Sequence, residues 1–101
     1  MKIKVTPEGR DGVWEASKES VVEFLREYKF EQIHNYIPGQ VMLGADWNKS
    51  DVIDKVNNSE RIAVLTGEPF WHNMRHALSV IVKNKLFMFD IGELKESDLE
   101  V

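Results

Sequence analysis

The chain contains no cysteine. That excludes disulfide cross-links, thiolate nucleophiles and cysteine-bound zinc, and it agrees with a reducing compartment. Long apolar runs are missing as well: stretches such as Ile62–Leu65 and Val80–Val82 are far too short to cross a bilayer. The opening residues, Met1 to Gly12, hold no apolar block of the kind a signal peptide needs, so the expected setting is cytoplasmic, away from membranes. An excess of positive charge is also lacking. Thirteen Lys and Arg stand against seventeen Asp and Glu, for a net charge of −4. The basic residues are scattered and the tail Glu93–Glu100 is acidic, whereas a generic nucleic-acid binder needs a basic face. The charge balance therefore argues against nucleic acid and favours a protein partner with a basic surface, although a charge of this size is also a common solubility feature.

What remains is ordinary globular material, 43% hydrophobic and 30% charged over 101 residues, enough for one domain spanning residues 1–101. Met1–Thr6 alternates as a strand with Ile3 and Val5 on one face. Pro7–Gly12 is a loop by its proline and glycines. From about Ala16 to Lys29 the apolar residues Val21, Val22, Phe24, Leu25 and Tyr28 recur at helical spacing, with Ser17 placed to cap the start. Tyr36-Ile37-Pro38-Gly39 reads as a turn and Gln40–Leu43 as a strand. Lys49–Asn57 forms a second helix with Val52, Ile53 and Val56 inward, capped by Asn48 or Ser50. Arg61–Thr66 is a third strand and Gly67–Asn73 a loop. His76–Val82 and Leu86–Ile91 form a hairpin around Lys83-Asn84-Lys85. The expected fold is α+β: two helices packed on an antiparallel or mixed sheet of about five strands, ending in a C-terminal β-hairpin.

The hairpin holds the first candidate site. His76 opens one strand and Asp90 closes the next, so their ends meet. A two-residue loop at Asn84-Lys85 pairs Val82 with Phe87 and turns His76 and Asp90 to opposite faces. A three-residue loop pairs Leu78 with Asp90 and leaves His76 as the diagonal same-face neighbour of Asp90. In the second case the carboxylate orients the imidazole, as in a catalytic triad. The plain alternative is a strand-edge histidine and a turn aspartate.

Gly12-Val13-Trp14-Glu15-Ala16-Ser17, at the head of the first helix, is the second. Together with Phe24-Leu25-Arg26-Glu27-Tyr28, the short helix Asp51–Asn57, the strand Ile62–Thr66, the His76-Ala77-Leu78 strand and the closing Phe87-Met88-Phe89-Asp90, it resembles the compact papain-like cysteine peptidases of the bacterial double-glycine-peptidase and papain-fold-toxin type. In that family a Cys-Trp-Ala-Ala-Ser stretch opens the helix, where the dipole lowers the thiol pKa, and a His-Ala strand and an Asp complete the site. The resemblance implies that Val13 stands where the nucleophile belongs, that His76 and Asp90 are remnants of a triad, and that the domain is a pseudoenzyme with a binding or regulatory role. Thr6, Pro7 and Glu8 supply no oxyanion-hole glutamine ahead of Val13.

Two further patterns complete the set. His72-Asn73-Met74-Arg75-His76 has the spacing of a helical zinc site, but Asn73 replaces the glutamate such sites use as a base and His76 begins a strand. No metal or cofactor is expected. Phe70 and Trp71 are adjacent in a loop, so an extended segment cannot bury both equally; with His72 and Trp14 they form the expected contact surface. Ser17, Ser20 and Ser79 lack a nucleophile-elbow context, and no glycine-rich phosphate loop is present. The sequence thus reads as a non-catalytic protein-binding or regulatory module. Its rival is a small hydrolase or transferase in which His76 is the general base and Asp90 its orienter, acting on water or a non-cysteine nucleophile.

Overall fold

The computed structural model describes residues 2–37, 40–66 and 76–101, residues 40–43 in their backbone alone. They form two α-helices and an eight-stranded sheet: β1 (Ile3–Pro7), β2 (Val13–Ala16), α1 (Lys18–Arg26), β3 (Gln32–Ile37), β4 (Gln40–Asn48), α2 (Lys49–Asn57), β5 (Arg61–Leu65), β6 (Ala77–Val82), β7 (Lys85–Asp90) and β8 (Leu99–Glu100), the last preceded by a 3₁₀ turn at Glu96–Asp98. The strand order is β4-β3-β7-β6-β5-β2-β1-β8. Neighbours are antiparallel except β1 and β8, which run parallel, so the sheet is mixed. The α+β class is as expected, but five strands is an undercount.

Side chains alternate across a strand, and the register sorts them into two faces. Trp14, Val64, Leu78 and Phe89 lie in one row across β2, β5, β6 and β7, with Ile62, Val80 and Phe87 in the next. This face meets the apolar stripes of the helices, Val21, Val22 and Leu25 of α1 and Val52 and Val56 of α2, in one core cluster. The opposite face carries Val13, Leu65, Ala77 and Asp90 in one row and Glu15, Ala63, Ser79, Met88 and Tyr36 in the next. Phe89 and Leu25 are wholly buried, each contributing about 1.5–3 kcal/mol by leaving water.

Local chemistry sets the helix ends. Ser17 caps α1, its hydroxyl accepting from Ser20 N at 3.4 Å. Ser20 Oγ in turn accepts from Lys4 N at 2.9 Å, which ties the helix start to β1. The helices run antiparallel and exchange lysines. Lys49, the first residue of α2, donates to the carbonyls of Arg26 (3.2 Å) and Tyr28 (3.1 Å) past the end of α1. Lys18, the first residue of α1, donates to Asn57 O at the end of α2 (3.2 Å). A lysine in a first turn opposes its own helix dipole; here each ammonium serves the negative end of the other helix.

β2 corrects the expected start of the first helix. Val13–Ala16 is extended and paired on both sides, with Pro7–Val5 and with Leu65–Ala63, and the helix begins only at Lys18. The hairpin differs from both anticipated loops. Its loop is Lys83-Asn84, with Val82 opposite Lys85, and both residues have positive φ (51° and 65°). This is the conformation whose twist matches that of the flanking strands.

Candidate functional site

The stretch Gln32-Ile33-His34-Asn35-Tyr36-Ile37 builds a cluster of polar and aromatic side chains. As β3 it sends Ile33 into the helix-side core and turns His34 and Tyr36 to the other face. On β4, Asp46 lies opposite His34 and Gly44 opposite Tyr36. His34 Nδ1 is 2.8 Å from Asp46 Oδ1, so the carboxylate fixes the ring. Gly44 has φ +147°, and a Cβ there would run into the carbonyl of Asn35 and lie 3.1 Å from His34 Nε2; only glycine lets the strands close at this point. The Tyr36 ring stands edge-on to His34, with centroids 4.5 Å apart. Its hydroxyl donates to Asp90 Oδ2 at 3.4 Å, and Asp90 Oδ1 accepts from Gly92 N at 2.8 Å.

β3 then parts from β7. Their ladder is limited to Asn35 opposite Phe89 and Tyr36 opposite Met88, whereas β3 stays with β4 as far as Gln32 opposite Asn48. The gap is a cleft of about 260 Å³ lined by His34 and Asp46 on one side and by Asp90 and Glu93 on the other, with Tyr28 and Phe30 between. Tyr28 is buried and its hydroxyl accepts from Glu93 N at 3.3 Å; Phe30, edge-on to it at 6.1 Å, is 45% exposed. No lysine or arginine lines this cleft among the described residues.

The phenols report the local field. Burial pushes the Tyr28 hydroxyl above its usual pKa, and the charges of Asp90 and Glu93 add to that, against the opposing hydrogen bond from Glu93 N. Tyr36 is raised by burial, by the charge of Asp90 and by donating its proton to that carboxylate. Both stay protonated at neutral pH and serve as hydroxyls, not as bases. A second, wider cleft of about 710 Å³ shares Gln32 and Asp46 with the first and continues over Trp47, Asp51 and Asp54. Its one ammonium, Lys55, lies over the Phe87 ring at 4.9 Å and near Trp47 at 5.9 Å.

The residues singled out from sequence fare differently. Ala77 is paired with Asp90, and Ile91 N donates to His76 O at 3.1 Å. His76 is therefore beside Ile91, one residue out of step with Asp90. The same-face relation that a three-residue loop gives is not formed; Asp90 is held by Tyr36 and Gly92. His76 Nδ1 is buried without a hydrogen-bond partner among the described residues. Val13 is in a strand, not at a helix start, and shares a row with Asp90 three strands away, roughly 14 Å by inter-strand spacing. The vacant nucleophile position, imidazole and carboxylate are thus not assembled as the papain-like resemblance implies. Trp14 is packed against the core, with Nε1 donating to Thr66 Oγ1 at 3.1 Å. Phe70, Trp71 and His72, the expected contact loop, lie outside the described residues, as does the His72 end of the zinc-like spacing.

Neither His34, Tyr36 and Asp46 nor Tyr28, Phe30, Asp51, Asp54 and Glu93 of the two clefts stand out in the sequence as site residues. The available signal was period-two alternation in Gln32–Ile37, with Gln32, His34 and Tyr36 on one face, masked by the turn signal that follows. No family model, no curated protein and no solved structure matches the chain.

Proposed function

We propose that the protein is a non-catalytic binding module that receives a basic segment of a partner protein along the groove formed by the two joined clefts. One observation carries this: the described lining holds five carboxylates, from Asp46, Asp51, Asp54, Asp90 and Glu93, against a single ammonium, and that ammonium is already over an aromatic ring. Such a groove attracts cationic side chains and disfavours anions. The described lining of the first cleft offers no serine, threonine or lysine beside the His34–Asp46 pair, so covalent catalysis through those residue types has no support there. Covering a basic surface of another protein suits a regulatory or inhibitory role.

The test is a titration of isotope-labelled protein with a lysine- and arginine-rich peptide and with its acidic counterpart. The basic peptide is expected to shift the amides of His34, Asp46, Asp54 and Glu93. The variant Asp46→Lys/Asp54→Lys is expected to remove those shifts while circular dichroism stays unchanged. Equal response to both peptides, or shifts scattered away from the groove, would refute the assignment.

A further inference from the structure

Within that groove, and resting on the reading just given, we propose that the cleft between β3 and β7 seats one arginine side chain of the partner, recognised as a guanidinium and not merely as a positive charge. At about 260 Å³ it is smaller than the roughly 300–1,000 Å³ usual for a free small molecule, which is the scale of a single side chain presented by a protein. Its acceptors are distributed: Asp46 on β4 forms one wall, and Asp90 and Glu93 beyond β7 form the other. An ammonium is a compact point charge. A guanidinium is a planar fork with five N–H donors, able to reach separated acceptors together.

The acceptors have capacity to spare. Each carboxylate oxygen can accept about two hydrogen bonds. Asp90 uses Oδ1 for Gly92 N and Oδ2 for the long contact to Tyr36, and no ion pair among the described residues engages Asp90 or Glu93. The aromatic component points the same way. Phe30 lines the cleft with nearly half its surface exposed, which leaves the ring available to a cation entering the cleft. Its ring already draws a cation from within the chain, the Lys29 ammonium 5.3 Å from the centroid. Guanidinium planes stack on aromatic faces, and arginine is the commoner partner in such contacts. The charge of Asp90 is one cause, after burial, of the raised phenols of Tyr28 and Tyr36, so the local field at this end of the cleft is negative.

The experiment compares three capped tripeptides, acetyl-Gly-X-Gly-amide with X arginine, lysine or citrulline, titrated into the labelled full chain. Citrulline keeps the planar shape and loses the charge. The arginine peptide is expected to shift His34, Tyr36 and Glu93 amides and to bind at least about threefold tighter than the lysine peptide, with citrulline inert. Phe30→Leu, which keeps apolar bulk and removes the ring, is expected to bring arginine down to the lysine level; Asp90→Asn is expected to weaken both. Folding of each variant is checked by its melting temperature, and Phe30→Tyr, which keeps the π-face, is expected to bind as the parent does. Equal affinity for arginine and lysine, or indifference to Phe30→Leu, overturns the arginine proposal and leaves the basic-segment reading standing. Failure of all cationic probes, the longer basic peptide included, overturns both.

Discussion

Asp90 stands between two phenols, and its charge is one cause of the raised pKa of each. The consequence for stability follows from linkage. A phenol whose pKa is higher in the folded than in the unfolded chain contributes stability that is fully present below about pH 10, the unfolded value. It is lost as pH rises from there through the folded value, because the unfolded chain ionises first. Asp90→Asn removes one charge from both phenols but leaves burial, the larger cause. The variant is therefore expected to titrate its tyrosines at lower pH than the parent, still above the ordinary value, and to lose less stability on going from pH 9 to pH 11. Absorbance at 295 nm against pH, with urea unfolding at both ends, checks both statements. Gly44 is the second sensitive position. Its φ of +147° and the Asn35 carbonyl beside it leave no room for a methyl group, so Gly44→Ala is expected to cost about 2 kcal/mol or more and to perturb the His34–Asp46 contact along with it.

Among the elements, the exchange of lysines between the helices makes a graded prediction. Lys49 is largely buried, with a side chain 12% exposed, and reaches two carbonyls, with Glu31 Oε1 3.6 Å away; Lys18 reaches one. Lys49→Met keeps the aliphatic stem and removes the charge. It is expected to cost about 1–2 kcal/mol by urea denaturation, and Lys18→Met clearly less. The hairpin loop offers the opposite sign. Lys83 and Asn84 both hold positive φ, which suits Asn-Gly better, so Lys83→Asn/Asn84→Gly is expected to stabilise by about 0.5–1 kcal/mol. The hydrogen bond from Asn84 N to Glu60 Oε1 (3.1 Å) uses the backbone and survives.

The same elements show what could be read in advance. Lys49–Asn57 emerged with its observed limits because Val52, Ile53 and Val56 recur at helical spacing and nothing nearby competes. β2 is invisible in the sequence because Trp14-Glu15-Ala16 carries no strand signature; its extended form is imposed by ladders to β1 and β5, the latter distant in sequence. β3 is hidden in the sequence because polar residues fill its helix-free face and even its core-side Asn35 is polar, with Oδ1 buried and unpaired among the described residues. The expected strand Gln40–Leu43 stops before Gly44, a residue that reads as a breaker yet is what allows β4 to continue beside β3. β8 pairs only two residues, too few for any periodicity. Asp90 is legible in the sequence but its partner is not: the hairpin register sets His76 and Asp90 out of step, and the carboxylate meets Tyr36 from β3, a strand distant in sequence.

For the molecule as a whole, a net charge of −4 says little until the charges are placed. Lys18 and Lys49 are committed to helix ends, Arg61 pairs with Glu8, and Lys55 and Lys85 both lie near the Phe87 ring. The carboxylates of Asp46, Asp51, Asp54, Asp90 and Glu93 collect instead along one groove. A partner drawn to that groove feels it over a distance set by the Debye length, about 30 Å at 0.01 M salt and about 10 Å at 0.1 M. Affinity for a basic peptide spanning both clefts is therefore expected to fall steadily across that range. Asp51→Asn/Asp54→Asn removes two charges from the wider cleft and none from the arginine seat. It is expected to flatten the salt dependence while the preference for arginine over lysine persists, because that preference comes from ring stacking and forked hydrogen bonds, which salt screens far less. Calorimetric titration of parent and variant at several salt concentrations separates the two contributions. Binding indifferent to salt in the parent would move the contact off this groove and toward the helix-free apolar face, where Leu86 is 40% exposed.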